Sequence, residues 1–187
     1  MTGREPRCVG TDVVFDGRKL RLEVHQVEGP DGRRSTREIV RHPGSVAVLA
    51  FRRGADGGRE VLLERNYRYT VGRYVTEVPA GTLDRAGEPP IECARRELAE
   101  ETGFVARDLA LLATLMPSPA LLTERLAIFV AEEVASGEAR PEPGELIEVV
   151  WVPWPEALRR VRDNEIEDAK TIVAILYYDA FGSRPDS

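Results

Sequence analysis

From Ser45 to Phe51 the chain is an uninterrupted apolar run, the pattern of a strand covered on both faces. Gly54-Ala-Asp-Gly-Gly58 then reads as a loop, and Glu60 to Glu64 as a second strand. Upstream, Leu20 to Val27 alternates, Gly29-Pro-Asp-Gly32 is turn chemistry, and Ser35 to Arg41 returns, which together predict a hairpin. Such a hairpin is not stable alone. Its apolar Leu20, Leu22, Val24 and Val27 have no obvious place in one compact sandwich, so it is expected to dock on a sheet. Tyr74 to Val78 is short and extended, ended by Pro79. Leu109 to Met116, Leu126 to Ala131 and Leu146 to Val152 read as further strands, with a Glu-, Pro- and Gly-rich loop from Ser136 to Glu145. Helical periodicity appears at Pro155–Arg162 and Asp168–Phe181, and the tail from Gly182 is polar. The sum is a mixed α+β chain, a sheet core flanked by helices.

Composition narrows the function classes. The 187 residues suit one domain, or one domain plus a dimerising extension. A net charge of −6 argues against non-specific nucleic-acid binding, and no stretch approaches a membrane span. Met-Thr-Gly-Arg-Glu-Pro-Arg at the start lacks an apolar run, so a cytoplasmic protein is expected. Cys8 and Cys93 are too few for a disulfide framework or a zinc site, and His25 and His42 lack metal-ligand spacing. Cys93 reads as a small core residue, and Trp151 and Trp154 as core or dimer packing. An acidic protein that handles an anionic substrate needs metal ions or local arginines to do so.

One segment offers both. Arg96-Glu97-Leu98-Ala99-Glu100-Glu101-Thr102-Gly103 follows a loop that begins at Gly81. Pro89 and Pro90 suit a first helical turn, and Gly103 a C-terminal stop. At about 100° per residue, Glu97, Glu100 and Glu101 fall on one helix face. Like charges so spaced repel, and a cation between them reverses the sign. Hard oxygen donors suit Mg²⁺ or Mn²⁺. The competing reading is a solvated acidic helix face. Glu92 and Arg96 are also spaced to pair along the helix.

The whole run resembles the Nudix box. Glu88, Arg96, Glu97, Leu98, Glu100, Glu101 and Gly103 match it, with Phe104 in the last apolar position. One departure is that six residues, not the box's five, separate Gly81 from Glu88. Arg37-Glu38-Ile-Val-Arg41-His42-Pro43-Gly44, Asn66-Tyr67-Arg68-Tyr69, Glu77-Val78-Pro79-Ala80-Gly81, Ser118-Pro119 with Glu124-Arg125, Glu145-Leu-Ile-Glu148-Val and Ile166-Glu-Asp168-Ala-Lys170-Thr171 extend the resemblance to the ADP-ribose pyrophosphatase branch. Asn66 stands where that branch favours glutamine, and Ala120 where it favours glycine.

The resemblance implies a Nudix α/β/α sandwich with an N-terminal β-hairpin extension, residues 1–41, on a hydrolase domain, residues 42–187. It implies metal-dependent hydrolysis of ADP-ribose to AMP and ribose 5-phosphate. GDP-mannose or another nucleotide sugar is the alternative substrate, and a non-catalytic ligand-sensing module a further one. Glu97, Glu100, Glu101 and the Ala80 carbonyl are the implied ligands of Mg²⁺ or Mn²⁺. Glu145 or Glu142 is the implied general base, with Glu101 in the catalytic set. Arg37, Arg68 and Glu77 are the implied substrate contacts. Gly81, Glu88, Arg96 and Gly103 form the scaffold of the box, with a Glu88–Arg96 salt bridge. The resemblance also places the hairpin across a homodimer, where Arg37 would reach the nucleotide of the other subunit.

Overall fold

The computed structural model describes residues 5–139 and 146–182, which form two compact units. The first comprises the N-terminal stretch to Gly44 together with Met116–Arg125, and the second Ser45–Leu115 with Leu126 onward. Among the described residues no helix is long and apolar enough to cross a membrane.

The first unit is an antiparallel sheet of β1 (Arg7–Asp16), β2 (Arg21–Glu28) and β3 (Arg34–Arg41), in that order. The expected hairpin is β2–β3. Its turn closes with the Gly32 amide donating to the Gly29 carbonyl at 3.0 Å, Gly32 holding φ 76°. β1 was not expected, because the apolar residues between Cys8 and Phe15 do not alternate. The strand is exposed on both faces, Val14 at 61% and Phe15 at 56%. The alternation of β2 also packs differently from its apolar pattern: the buried side chains are Glu23 and His25 rather than Leu22 and Val24. Glu23 accepts from His25 Nε2 at 2.7 Å and Arg41 Nε at 2.9 Å, and these bonds lower its pKa. The 116–125 segment bonds to β3, with the Val40 amide donating to the Leu121 carbonyl at 2.9 Å and the Thr123 amide to the Val40 carbonyl at 3.0 Å.

The second unit holds β4 (Ser45–Arg53), β5 (Arg59–Arg68), β6 (Arg73–Glu77), β7 (Ala80–Thr82), α1 (Pro90–Thr102), β8 (Phe104–Ala106), β9 (Ala110–Leu115), β10 (Leu126–Ala131), β11 (Val134–Ser136), β12 (Ile147–Pro153), α2 (Trp154–Arg162) and α3 (Ala169–Phe181). The main sheet runs β12–β5–β4–β10–β9, with β6 on β5 and β7 on β4, and β8 pairs β11 apart from it. The β4–β10 pair is parallel and its neighbours antiparallel. The apolar run of β4 is buried on both faces, as its unbroken pattern requires. Val46, Val48 and Ala50 join Cys93, Ala94 and Leu98 of α1. Ala47, Leu49 and Phe51 join Ala157 of α2 and Ala174 and Ile175 of α3. The sheet is therefore the middle layer between α1 and the α2–α3 pair. Truncating fully buried Leu98 to alanine at this junction would cost about 2–5 kcal/mol. Trp154 meets Phe51 edge-on at 5.2 Å, and Trp151 meets Phe104 at 5.1 Å, so both tryptophans pack within the unit.

Candidate active site

The box helix begins and ends as its residues dictate. Pro89 occupies the N-cap and Pro90 the first turn, where no intrahelical amide is needed. Gly103 stops the helix in the left-handed region at φ 72°, its amide reaching the Ala99 carbonyl at 3.0 Å. A side chain at Gly103 would also strike the chain that crosses it: a Cβ there would lie 2.6 Å from the Ala139 amide nitrogen. Before the helix, the longer loop is taken up by a turn in which the Glu88 amide donates to the Arg85 carbonyl at 3.1 Å and Gly87 adopts φ 79°.

The carboxylates of the cluster are held by β7 and by Arg96. Gly81 lies against Glu97 so closely that a Cβ would sit 2.0 Å from the Glu97 carboxyl carbon. Buried Glu101 accepts the Ala80 amide at 3.0 Å, which ties α1 to β7. Arg96 grips Glu88 with Nε at 3.0 Å and Nη2 at 2.9 Å, the expected salt bridge. Its Nη1 reaches Glu97 at 2.7 Å and Glu100 at 2.9 Å. Glu92 lies instead near Arg95, at 3.8 Å. The guanidinium of Arg96 lowers the Glu88 pKa, whereas burial raises that of Glu97 against the pull of Arg96. Around the box, Asp84, Glu88, Glu97, Glu100 and Glu101 outnumber Arg85 and Arg96, leaving a surplus of negative charge.

Those residues fit a hard divalent cation in chemistry: carboxylate oxygens with surplus charge beside the β7 backbone. Among the described residues no group of three or more acidic, His or Cys side chains stands in a metal-holding arrangement. Arg96 bridges Glu97 and Glu100, and Glu101 is turned to the Ala80 amide. Glu97 and Glu100 would have to leave Arg96 to face an ion.

A second charged group lies in the same unit. Arg68 donates to Glu77 through Nε at 2.7 Å and Nη2 at 2.8 Å. Lys170 also bonds Glu77 and lies 3.1 Å from Asp168, which caps α3 through the Thr171 amide at 2.9 Å. Glu77 is 1% exposed, with both oxygens engaged. Directly across the β5–β6 register stands Glu64, fully buried. Sequence reasoning gives Glu64 no role, because it reads as the charged end of the Val61-Leu-Leu run and only the folded β5–β6 register sets it opposite Glu77. In sequence Lys170 stands inside the Ile166–Thr171 motif with no role of its own.

Arg37 sits on β3 of the first unit, exposed, its guanidinium on the Thr36 carbonyl at 2.8 Å. With Arg41, Pro119 and Leu121 it lines a cavity of about 360 Å³. Glu142 and Glu145, the expected bases, lie outside the described residues.

Residues 41–174 match the NUDIX domain family, and the chain belongs to it. An ADP-ribose pyrophosphatase of Bacillus subtilis is 38% identical to it over 95% of this chain and 94% of its own length. A GDP-mannose pyrophosphatase of Cronobacter sakazakii is 32% identical over 87% of this chain and 88% of its own. A crystal structure of an ADP compounds hydrolase shares the fold, with a TM-score of 0.82, 24% identity, and coverage of 97% of this chain and 96% of that one.

Proposed function

We propose that the protein is a pyrophosphohydrolase that cleaves ADP-ribose into AMP and ribose 5-phosphate with the help of Mg²⁺ or Mn²⁺. The observation that carries this reading is the carboxylate cluster of α1, with Glu97 laid on Gly81, Glu101 on β7, and negative charge in excess of Arg85 and Arg96. A phosphate chain cannot approach such a surface unless cations intervene. The likeness to the Bacillus ADP-ribose pyrophosphatase over nearly the whole chain supports the substrate.

In this reading Glu97, Glu100, Glu101 and the Ala80 carbonyl hold the ion. When bound, the ion sets positive charge against the phosphoryl oxygens and activates the attacking water. Glu145 or Glu142 takes the water's proton as the new P–O bond forms and the bridging P–O bond breaks, the leaving phosphate departing as the second product. Arg68, and across the dimer Arg37 of the partner subunit, supply charge and planar hydrogen bonding to the phosphates or the adenine. Glu77 holds Arg68 in place. The Glu88–Arg96 pair fixes the loop to the helix. We read the chain as a homodimer, since β1 leaves Val13, Val14 and Phe15 uncovered and a second copy is the simplest cover. GDP-mannose is the second reading, supported by the Cronobacter relative.

The test is hydrolysis of ADP-ribose, GDP-mannose, NADH, diadenosine polyphosphates and 8-oxo-dGTP with Mg²⁺ or Mn²⁺. ADP-ribose should be the best substrate. Glu97→Gln and Glu101→Gln should each lose roughly 10²-fold or more in kcat while staying folded. Full activity in EDTA refutes the metal role, unaltered kcat in both Glu142→Gln and Glu145→Gln refutes the base, and a one-chain mass by light scattering refutes the dimer.

A further inference from the structure

Two carboxylates in the second unit face each other across β5 and β6 with very unequal company. Glu77 has Arg68 on both oxygens and Lys170 as well. Among the described residues Glu64, in register with it and equally buried, has only the Asn66 amide at 3.5 Å on one oxygen, and its Oε2 has no hydrogen-bond partner. Two like charges placed directly opposite are unfavourable in a sheet, and an ionised carboxylate without donors is costlier still inside a protein. The geometry therefore says which of the pair carries the proton. Burial, then the charge of Glu77, raise the Glu64 pKa to about 7; Arg68, Lys170 and Asn66 oppose them. Among the described residues, the groups that face this pair from the other elements add no countercharge to Glu64. On α3, Asp168 is committed to Thr171 and Lys170; from α1, Glu101 acts on Arg68; and β12 places Val149 opposite Glu64.

We propose that Glu64 is a positioning residue for the anionic substrate: as a neutral acid it leaves Arg68 paired with Glu77, and on ionising it draws Arg68 inward, away from the diphosphate. The pairing of Arg68 uses Nε and Nη2, so the Nη1 edge lies outside the pair and can turn to a phosphate. Its side chain is 40% exposed, against 17% for Lys170, so Arg68 is the cation with freedom to move. An ionised Glu64 offers a second, unsolvated carboxylate to the same two cations. Arg68 then divides between two anions, and substrate affinity falls while the chemical step, which belongs to α1, does not change.

This inference rests on the proposed hydrolysis of a nucleoside diphosphate sugar, and the experiment separates the two. KM and kcat for ADP-ribose are measured from pH 6 to pH 8.5 in the wild type and in Glu64→Gln, a neutral mimic of the protonated acid. The wild-type KM should rise roughly fivefold or more over this range relative to the variant, and the ratio of the two kcat values should stay constant. In parallel, the Glu64 carboxyl is titrated by ¹³C NMR in glutamate-labelled protein, assigned by its loss in Glu64→Gln, with a midpoint expected near neutrality. Identical KM profiles, or a difference confined to kcat, overturn the proposal. So does a midpoint below pH 5, which needs no substrate to observe. A wild type inert on every nucleoside diphosphate sugar overturns the parent function and the substrate half of the proposal together, and the carboxyl titration then shows whether Glu64 still holds its proton.

Discussion

Glu64 also makes a thermodynamic prediction that involves no ligand. Its carboxyl is fully buried and its pKa stands at about 7 in the folded chain, against 4.5 ordinarily. Below pH 4.5 the group is protonated in both states and contributes nothing to the pH dependence. Between about pH 4.5 and 7 the unfolded chain releases this proton and the folded one keeps it, so the folded state binds more protons and stability falls as pH rises. Above pH 7 both states are ionised and the penalty is complete. At about 1.4 kcal/mol per tenfold change in acidity, the full penalty is about 3 kcal/mol. Glu64→Gln keeps the shape and removes the charge, so it should lack this term. Urea unfolding of both proteins at pH 5, 6, 7 and 8 should show the variant gaining on the wild type by about 3 kcal/mol, mostly between pH 5 and 7. In thermal melts that corresponds to about 6–12 °C for a chain of this size. Parallel stability curves, or a wild type that gains on the variant as pH rises, would refute the reasoning.

Three further outcomes are expected. Gly81→Ala should reduce kcat/KM by roughly 10²-fold with little change in Tm, because its Cβ would displace the end of the Glu97 side chain, whose carboxyl carbon and Cγ lie 2.0 and 2.3 Å away, and not the backbone; an active variant would show that Glu97 need not lie on β7. Gly103→Ala should cost about 2–3 kcal/mol, combining left-handed strain with a 2.6 Å approach to the Ala139 backbone, whereas Gly87→Ala, at φ 79° in open space, should cost only about 1 kcal/mol; equal melting shifts would remove the steric part of the argument. Native protein should expose one reactive thiol to a chromogenic disulfide, that of exposed Cys8, since burial pushes the Cys93 thiol up to about 12; two fast-reacting thiols would contradict this.

What was legible in the sequence follows from how local its cause is. The start of α1 at Pro90 and its stop at Gly103 depend on residues within a few turns of one another and both were readable, whereas helix spacing pairs Arg96 with Glu92 and the Glu88–Arg96 bridge came only with the resemblance. The doubly covered β4 announced itself through its unbroken apolar run. β1 did not, because a strand exposed on both faces has no reason to alternate. β7, β8 and β11 are three residues each, too short for any period to register. In β2 the alternation was real, but Glu23, His25 and Arg41 satisfy one another well enough for the polar face to be the buried one. The helix-face arithmetic set Glu97, Glu100 and Glu101 on one face of α1, yet could not see that Arg96 would reach two of them while β7 took the third. Glu64 was invisible for a similar reason: its meaning comes from Glu77, thirteen residues away in sequence and adjacent only once β6 folds back on β5.

The grip of Arg96 on Glu88, Glu97 and Glu100 bears on the order of events in making the protein. Acidic side chains crowded onto one helix usually oppose its formation, and many small metal-binding domains stay unfolded until their ion arrives. Here the helix carries its own cation, covalently attached and always charged. The chain can therefore mature on the ribosome without waiting for a divalent ion. In the proposed function, loading the site would be an exchange of one positive partner for another, and the protein without its ion would be idle rather than misfolded.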